Sequence, residues 1–230
     1  MYKGEIVNVL MPVYNEERTL VEVVKRVLAQ KVVDKLVIVD DHSIDRSAEL
    51  IRVLAKKDRR IEVLSNPKNM GKGFSVREAL DHVKKGIVII QDADKEYYPE
   101  DYPKMLAALR DDNVVYGTRM ITKNPGHHYR AAKVANAVIT ALFNALYKQR
   151  ITDVNTCYKI FRKEMLDGIK LKENRFLIEP EISIALAKKG YRITEVKIRY
   201  AGRTYAEGKK IKASDGIAQA FYIVRKRFTG

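Results

Sequence analysis

The segment Ile87-Val88-Ile89-Ile90-Gln91-Asp92-Ala93-Asp94 delivers two aspartates, one residue apart, at the end of an apolar run. Carboxylates in this arrangement suit a hard divalent cation, which takes oxygen ligands and commonly shares them with substrate phosphates. The run before them is rich in β-branched residues and has no helical period, so it reads as a buried central strand. Open α/β sheets bind ligands outside the carboxyl ends of their strands, which is where these aspartates fall. Alone, an Asp-x-Asp pair is far more often a solvated turn, so its neighbours must decide.

Three other strand ends carry groups suited to a nucleotide. Pro12-Val13-Tyr14-Asn15-Glu16-Glu17 offers a proline turn and an aromatic ring to lie against a base. Asp40-Asp41-His42-Ser43-Ile44-Asp45 offers carboxylates for a base N–H or for ribose hydroxyls, although Ser43 or Asp45 could equally cap the next helix. Asn69-Met70-Gly71-Lys72-Gly73 leads into a helix, so its backbone amides and Lys72 can meet phosphate or sugar oxygens. Neither a Walker A loop nor a G-x-G-x-x-G after the first strand is present.

Stepping along the chain, predicted strands at 5–11, 35–39, 61–64, 87–90 and 114–117 alternate with helices at 16–30, 45–55, 74–83 and 99–109. That alternation predicts an α/β fold with a mostly parallel sheet flanked by helices. The rest predicts a helix at 130–148, a strand at 158–161, a helix at 179–189, a strand at 192–199, a basic loop and a final helix at 214–228. No linker or repeat divides residues 1–230, so a single domain is expected.

Charge is distributed unevenly. Residues 1–115 hold 20 Lys/Arg against 20 Asp/Glu, whereas residues 116–230 hold 24 against 9 and carry the whole net charge of +15. Such segregation points to a polyanionic partner met by the second half: anionic phospholipid, lipid phosphate, nucleotide diphosphate or nucleic acid. A lysine-rich solvated surface of a heat-adapted protein is the plain alternative. Nucleic acid is disfavoured, because no stacking motif of the RNP type occurs. The single Cys157 excludes an internal disulfide and fits a reducing compartment. No signal-peptide pattern is visible, and the longest uncharged stretch, 134–147, is 14 residues. A membrane span needs about 20, so a soluble or peripheral protein is expected.

Together these segments resemble the family 2 glycosyltransferases of the GT-A fold, in particular the polyprenyl (dolichyl) phosphate sugar synthases. The resemblance rests on Met11-Pro12-Val13-Tyr14-Asn15-Glu16-Glu17, Val39-Asp40-Asp41, residues 69–73, Asp92-Ala93-Asp94, Tyr116-Gly117-Thr118-Arg119, residues 153–159 and residues 203–209. It implies inverting transfer of a hexose from a nucleoside diphosphate sugar donor, of GDP-mannose or UDP-glucose type, assisted by Mg²⁺ or Mn²⁺. The implied acceptor is polyprenyl or dolichyl phosphate. The implied place of work is an anionic membrane surface, with the enzyme cytoplasmic and peripheral at the inner face. Residues 1–115 would form the nucleotide-sugar half, and residues 116–230 the basic acceptor half with a lid loop and a C-terminal amphipathic helix.

The resemblance also implies roles for single residues. Pro12, Tyr14, Glu16, Asp40 and Asp41 would cradle the nucleoside, with Lys72 near phosphate or sugar. Asp92, Ala93 and Asp94 would hold the cation and diphosphate, and Glu96 would join the metal where mannose synthases of the family place a glutamine. Lys95 is expected to point away or toward phosphate. Arg119 would bind acceptor phosphate or diphosphate as a bidentate fork, with Arg130 a weaker candidate. Arg203 and Lys209 match the family's mobile lid; a disordered basic tip is the alternative.

The acceptor decides whether a base is needed. A lipid phosphate is already anionic near neutral pH, whereas a sugar hydroxyl, the rival acceptor, requires a carboxylate base. Phe176-Leu177-Ile178-Glu179-Pro180-Glu181 supplies Glu179 and Glu181, which could instead complement a helix N-terminus. Asp94, Arg119 and Glu179 are thus the catalytic candidates. Cys157 reads as a packed small residue rather than a nucleophile. His127 and His128 are adjacent and do not share a face. Val134, Val138, Leu142 and Leu146 form a stripe expected to face the core. Ile217, Phe221 and Val224, beside Arg225, Lys226 and Arg227, suit either an interfacial anchor or docking on the domain.

Overall fold

Buried β-branched residues make the centre of the sheet, and the expected strand at Ile87–Ile90 is wholly buried. In the computed structural model the structure describes residues 1–120, 127–203 and 213–229, with backbone alone at 127–132, 213 and 214. Seven strands form one sheet in the order β3-β2-β1-β4-β6-β5-β7. They are β1 (Val7–Val13), β2 (Lys35–Asp40), β3 (Ile61–Ser65), β4 (Ile87–Ile90), β5 (Asn113–Thr118), β6 (Lys159–Arg162) and β7 (Arg192–Lys197). All neighbours run parallel except β6, which is antiparallel to both β4 and β5. This is the mostly parallel α/β sheet that the alternation predicts.

Helices cover both faces. On one side α1 (Leu20–Leu28), α2 (Ser47–Lys57) and α4 (Tyr102–Ala107) bury Val23, Val24, Val27, Ile51, Met105 and Leu106. On the other, α3 (Lys72–His82), α5 (His127–Tyr147), α6 (Ile178–Lys188) and α7 (Ala213–Phe228) pack through Val76, Phe143, Ile182 and Ile223. Burial of these apolar side chains, each worth about 1.5–3 kcal/mol, is what holds the layers together.

Several boundaries differ from expectation for physical reasons. β1 runs on to Val13, with Pro12 paired in register with Val39 rather than opening a turn. Leu10 accepts from Gln91 N on the β4 side and Val13 accepts from Asp41 N on the β2 side, so Pro12 faces β4. β4 has ended by that level, so the missing N–H costs no ladder bond. α1 starts at Leu20 because residues 16–19 form a turn in which Thr19 N and Leu20 N both donate to Glu16 O. Residues Pro99–Asp101 are a short 3₁₀ turn before α4. α2 starts at Ser47 with Arg46 at the cap position, and Asp45, one residue earlier, accepts from Ser47 N in a turn that leads into the helix.

The stripe expected to bury α5 turns inward only at its second half, where Leu142 and Leu146 pack against the core. Val134 and Val138 are exposed and Leu142 and Leu146 half-buried, while Ile139, Phe143 and Tyr147 face the core. α5 has apolar residues on two faces, and the face with the large aromatic rings wins the interior.

Two glycines are required where α3 begins. A Cβ on Gly71 would stand 2.4 Å from Asn174 O, and one on Gly73 would stand 2.4 Å from Glu173 O. Both clashes are with backbone, so neither can be relieved by a side-chain rotation. Gly73→Ala should destabilise the protein by about 1–3 kcal/mol. Gly216, inside α7, meets only ordinary contact at 3.6 Å. Gly216→Ala should therefore stabilise by about 0.5–1 kcal/mol. Urea denaturation of the two variants checks both signs.

Candidate active site

A buried polar scaffold sets the end of β4. Gln91 Oε1 accepts from Tyr102 Oη at 2.6 Å and from Tyr158 Oη at 2.5 Å, and its Nε2 donates to Asp92 O. Tyr158 stacks on Tyr97 at 4.6 Å, and Tyr97 meets Tyr200 edge-on at 5.2 Å. The aspartate turn is thus held from below by a fully satisfied network, which restricts it to one conformation. None of these tyrosines was singled out as functional from sequence. Tyr158 and Tyr200 lie far along the chain from Gln91 and Tyr97, and only the fold brings them together.

Above this scaffold, carboxylates crowd. Asp94 is buried, and burial, with Asp92 and Glu96 nearby, raises it to about 7 despite the opposing Arg203. Arg203 answers that charge: its Nη2 lies 2.6 Å from Asp94, Nη1 3.2 Å from Glu16 and Nε 3.4 Å from Glu96. Arg203 N also donates to Glu96, and Tyr200 Oη donates to the other Glu96 oxygen at 2.6 Å. An antiparallel bridge between Tyr97 and Tyr200 and the donation of Ala201 N to Glu96 O place this segment over the strand end. Glu16 sits at the turn before α1, where Thr19 Oγ1 lies within hydrogen-bond reach of its carboxylate at 3.0 Å and of Ala93 O at 2.9 Å. Lys95 points away onto Glu22, as expected.

A second cluster lies beside the first. Lys72 Nζ is 2.6 Å from Asp92, 3.0 Å from Glu179 and 3.0 Å from Cys157 Sγ, to which it donates. Glu179 also receives Lys159 Nζ at 2.5 Å, and Lys159 is wholly buried over the Tyr116 ring. Burial pushes Glu179 up, but Lys159 and Lys72 outweigh it and bring its carboxyl down to about 2. Burial pushes the Cys157 thiol well up, Asp92 adds to this, and Lys72 does not offset it, so this cysteine is no thiolate nucleophile. Lys159 is a site residue that sequence reading missed, since nothing in a strand lysine announces a buried counter-charge.

The acceptor-side candidate, Arg119, is paired. Its Nε and Nη2 donate to the two oxygens of Asp153 at 2.7 and 2.8 Å, its backbone N donates to Asp153, and its guanidinium lies 5.1 Å over the Tyr200 ring. Asp153 is wholly buried and also accepts from Asn136 of α5. The fork expected to grip phosphate is therefore engaged by Asp153 in this arrangement, because a buried carboxylate needs a counter-charge.

Other expected contacts are also spent internally. Asp41 accepts from Asn66 Nδ2, Met70 N and Gly71 N, and so shapes the loop after β3. Those amides, and Phe74 N on Asn174 O, are consequently not offered to phosphate; Lys72 is the part of that loop in the site. Asp40 accepts from Ser43 N, and Ser43 Oγ accepts from Asn15 N. Tyr14 is half-buried at the end of β1. Glu181 accepts from Lys172 N and Glu173 N. Lys209 and the side chains of His127, His128 and Arg130 lie outside the described residues.

Among the described residues, no three acidic, histidine or cysteine side chains are disposed to hold a metal ion as they stand. The donor set nevertheless suits a hard cation. Glu16, Asp92, Asp94, Glu96 and Glu179 supply five carboxylates against Arg203, Lys72 and Lys159 among the described residues. Oxygen ligands and surplus negative charge are what Mg²⁺ or Mn²⁺ takes.

The family model for glycosyl transferase family 2 matches residues 8–169, which span the strand-end loops and both clusters up to Lys159. The chain belongs to glycosyl transferase family 2. The transferase is 32% identical to the glycosyltransferase AglJ of Haloferax volcanii over 86% of this chain and 64% of that protein. It is 28% identical to the undecaprenyl-phosphate 4-deoxy-4-formamido-L-arabinose transferase of Edwardsiella ictaluri over 89% of this chain. The chain spans 64% and 63% of the length of these two relatives. Its fold matches glucosyl-3-phosphoglycerate synthase from Mycobacterium tuberculosis, crystallised with Mn²⁺ and UDP, with a TM-score of 0.67. That match covers 97% of this chain and 80% of the other at 18% identity.

The charge state of Glu179 gives the transferase a measurable acid response. A carboxyl held near 2 when folded and near its ordinary value when unfolded stabilises the fold above the unfolded pKa. That contribution, about 3 kcal/mol for a shift of this size, is lost as pH falls from about 4.5 toward 2. Glu179→Gln leaves the buried Lys159 without its carboxylate partner and Lys72 with Asp92 alone, and should cost about 3–5 kcal/mol at pH 7. Urea denaturation between pH 7 and pH 3 should give a flatter pH dependence for the variant than for the native chain.

Proposed function

We propose that this transferase moves a hexose from a nucleoside diphosphate sugar to a polyprenyl phosphate, with Mg²⁺ or Mn²⁺, at the cytoplasmic face of a membrane. The observation that carries the choice of acceptor is the double lysine clamp on Glu179. A carboxylate at about 2 is too weak a base to take a proton from a sugar hydroxyl. Glu181 is equally committed to backbone amides. An acceptor whose attacking oxygen is already anionic needs neither. The relatives support this reading, one of them being an undecaprenyl-phosphate 4-deoxy-4-formamido-L-arabinose transferase. The Mn²⁺ and UDP bound by the structural neighbour support the donor and cation.

In this reaction the acceptor phosphate oxygen bonds to the anomeric carbon as the bond from that carbon to the donor diphosphate breaks, with inversion. Negative charge develops on the leaving diphosphate, and Lys72 and Arg203 are the side-chain cations beside Asp92 and Asp94 that meet it. Asp92 and Asp94, with Glu96 and Glu16 near them, would hold the divalent ion, which when bound neutralises that same charge. Arg119 is neutralised by Asp153 as it stands, and would meet the acceptor phosphate by exchange of that partner.

Calorimetry with UDP-glucose and GDP-mannose in the presence of Mn²⁺ tests the donor half of the proposal. One donor should bind, and Asp94→Ala should weaken that binding by about a hundredfold. Transfer of labelled sugar to a short-chain polyprenyl phosphate, and not to the corresponding polyprenol or to a glycan hydroxyl, tests the acceptor half. Absence of binding by any nucleoside diphosphate sugar, or binding indifferent to Asp94, would sink the assignment.

A further inference from the structure

α7 is turned the unusual way round for a surface helix. Its inward face carries Gln219, Tyr222 and Ile223, all buried. Its outward face carries Ile217 (76% exposed), Phe221 (68%), Val224 and Phe228 (79%). The spacing i, i+4, i+7, i+11 puts these four on one stripe. By the 3.6-residue turn, Arg225 and Arg227 stand roughly 80° to either side of that stripe. Surface helices ordinarily show solvent the opposite pattern.

α5 does the same. Val134 and Val138 are each 64% exposed, and exposed Ala141 and Ala145 continue their stripe. No charged residue occurs from Val134 to Tyr147. The two helices are neighbours: Tyr147 Oη donates to Ile223 O at 2.9 Å, and Gly216 faces Ile139. Their buried residues Ile139, Phe143, Tyr147, Tyr222 and Ile223 belong to one core, so both stripes look away from the sheet. An apolar surface of this kind, rimmed by charge, marks an interaction site. Among the described residues no helix is long and apolar enough to cross a membrane.

We propose that α5 and α7 form a docking face that lies on an anionic bilayer. Ile217, Phe221 and Phe228, with Val134 and Val138, enter the boundary between headgroups and acyl chains, while Arg225 and Arg227 meet lipid phosphates. Charge selects this occupant. A second copy of the chain would bring the same arginine rim against itself, whereas an anionic surface complements it and the 24-to-9 excess of basic residues in this half. The face adjoins the site, since Asn136 of α5 donates to Asp153, which holds Arg119. The purpose of the face rests on the reading of the acceptor as a lipid phosphate, whose chain would be anchored in the same bilayer.

Co-sedimentation with vesicles tests this. The native chain should bind vesicles of phosphatidylglycerol mixed with phosphatidylcholine, and bind pure phosphatidylcholine less. Phe221→Ser with Phe228→Ser should weaken binding at least about tenfold, and Arg225→Gln with Arg227→Gln should reduce the preference for anionic lipid at least about tenfold. Both pairs are exposed, and unchanged thermal unfolding would verify that the fold is intact. The phenylalanine variant should keep its rate on a water-soluble short-chain polyprenyl phosphate and lose rate on a long-chain one held in vesicles. No binding to the mixed vesicles, or binding that ignores these substitutions, overturns the proposal. So does a dimer that the phenylalanine substitutions convert to monomer without any vesicle binding. Vesicle binding with no transfer to any lipid phosphate would uphold the docking face and refute the acceptor reading.

Discussion

Like charge forced together at the end of β4 is the constraint that organises this molecule. Asp92, Asp94, Glu96 and Glu16 converge there, and Asp94 is buried among them. Carboxylates so placed must either take up protons or find cations. Asp94 goes part of the way by the first route, since its pKa is raised to about 7. Arg203 and Lys72 supply the second. The segment that carries Arg203 is held by Tyr200, Ala201 and the Glu96 contacts, so the position of the chain after β7 is set by the charge at β4. A site that already recruits a guanidinium is one that a divalent cation and a diphosphate can enter by exchange of partners.

In the proposed reaction the adjoining lysine pair makes Glu179 a counter-charge rather than a base. A buried carboxylate shared by two ammonium groups contributes position and charge, not proton transfer. It holds Lys72 between Asp92 and itself, at the edge of the aspartate turn. Lys72 reaches that place because Gly71 and Gly73 let the start of α3 press against the backbone at 173–174. Local sterics, a buried ion pair and the electrostatics proposed for the leaving group are thus one chain of dependence.

Much of this was legible in the sequence, and the failures share a cause. The alternating periods of β-branched and amphipathic segments are local signals, and they yield the elements and the parallel sheet. Asp92 and Asp94 are legible because they follow a strand that only a core could bury. Asp41, Glu96 and Arg119 sit where motif and order put them, but their partners are Met70 and Gly71, Tyr200 and Arg203, and Asp153. No local pattern reveals a partner at that separation. Lys159 and Gln91 were missed for the same reason, since each becomes informative only once β6 lies against β4. α5 failed differently: a helix with two apolar faces has a period but no sign to say which face turns inward.

The most direct test of this account is a crystal structure of the protein with Mn²⁺ and a nucleoside diphosphate. The cation is expected on Asp94 and the turn at Asp92, with Arg203 moved from Asp94 onto the diphosphate. A bound nucleotide with Arg203 still on Asp94 and the cation elsewhere would contradict it.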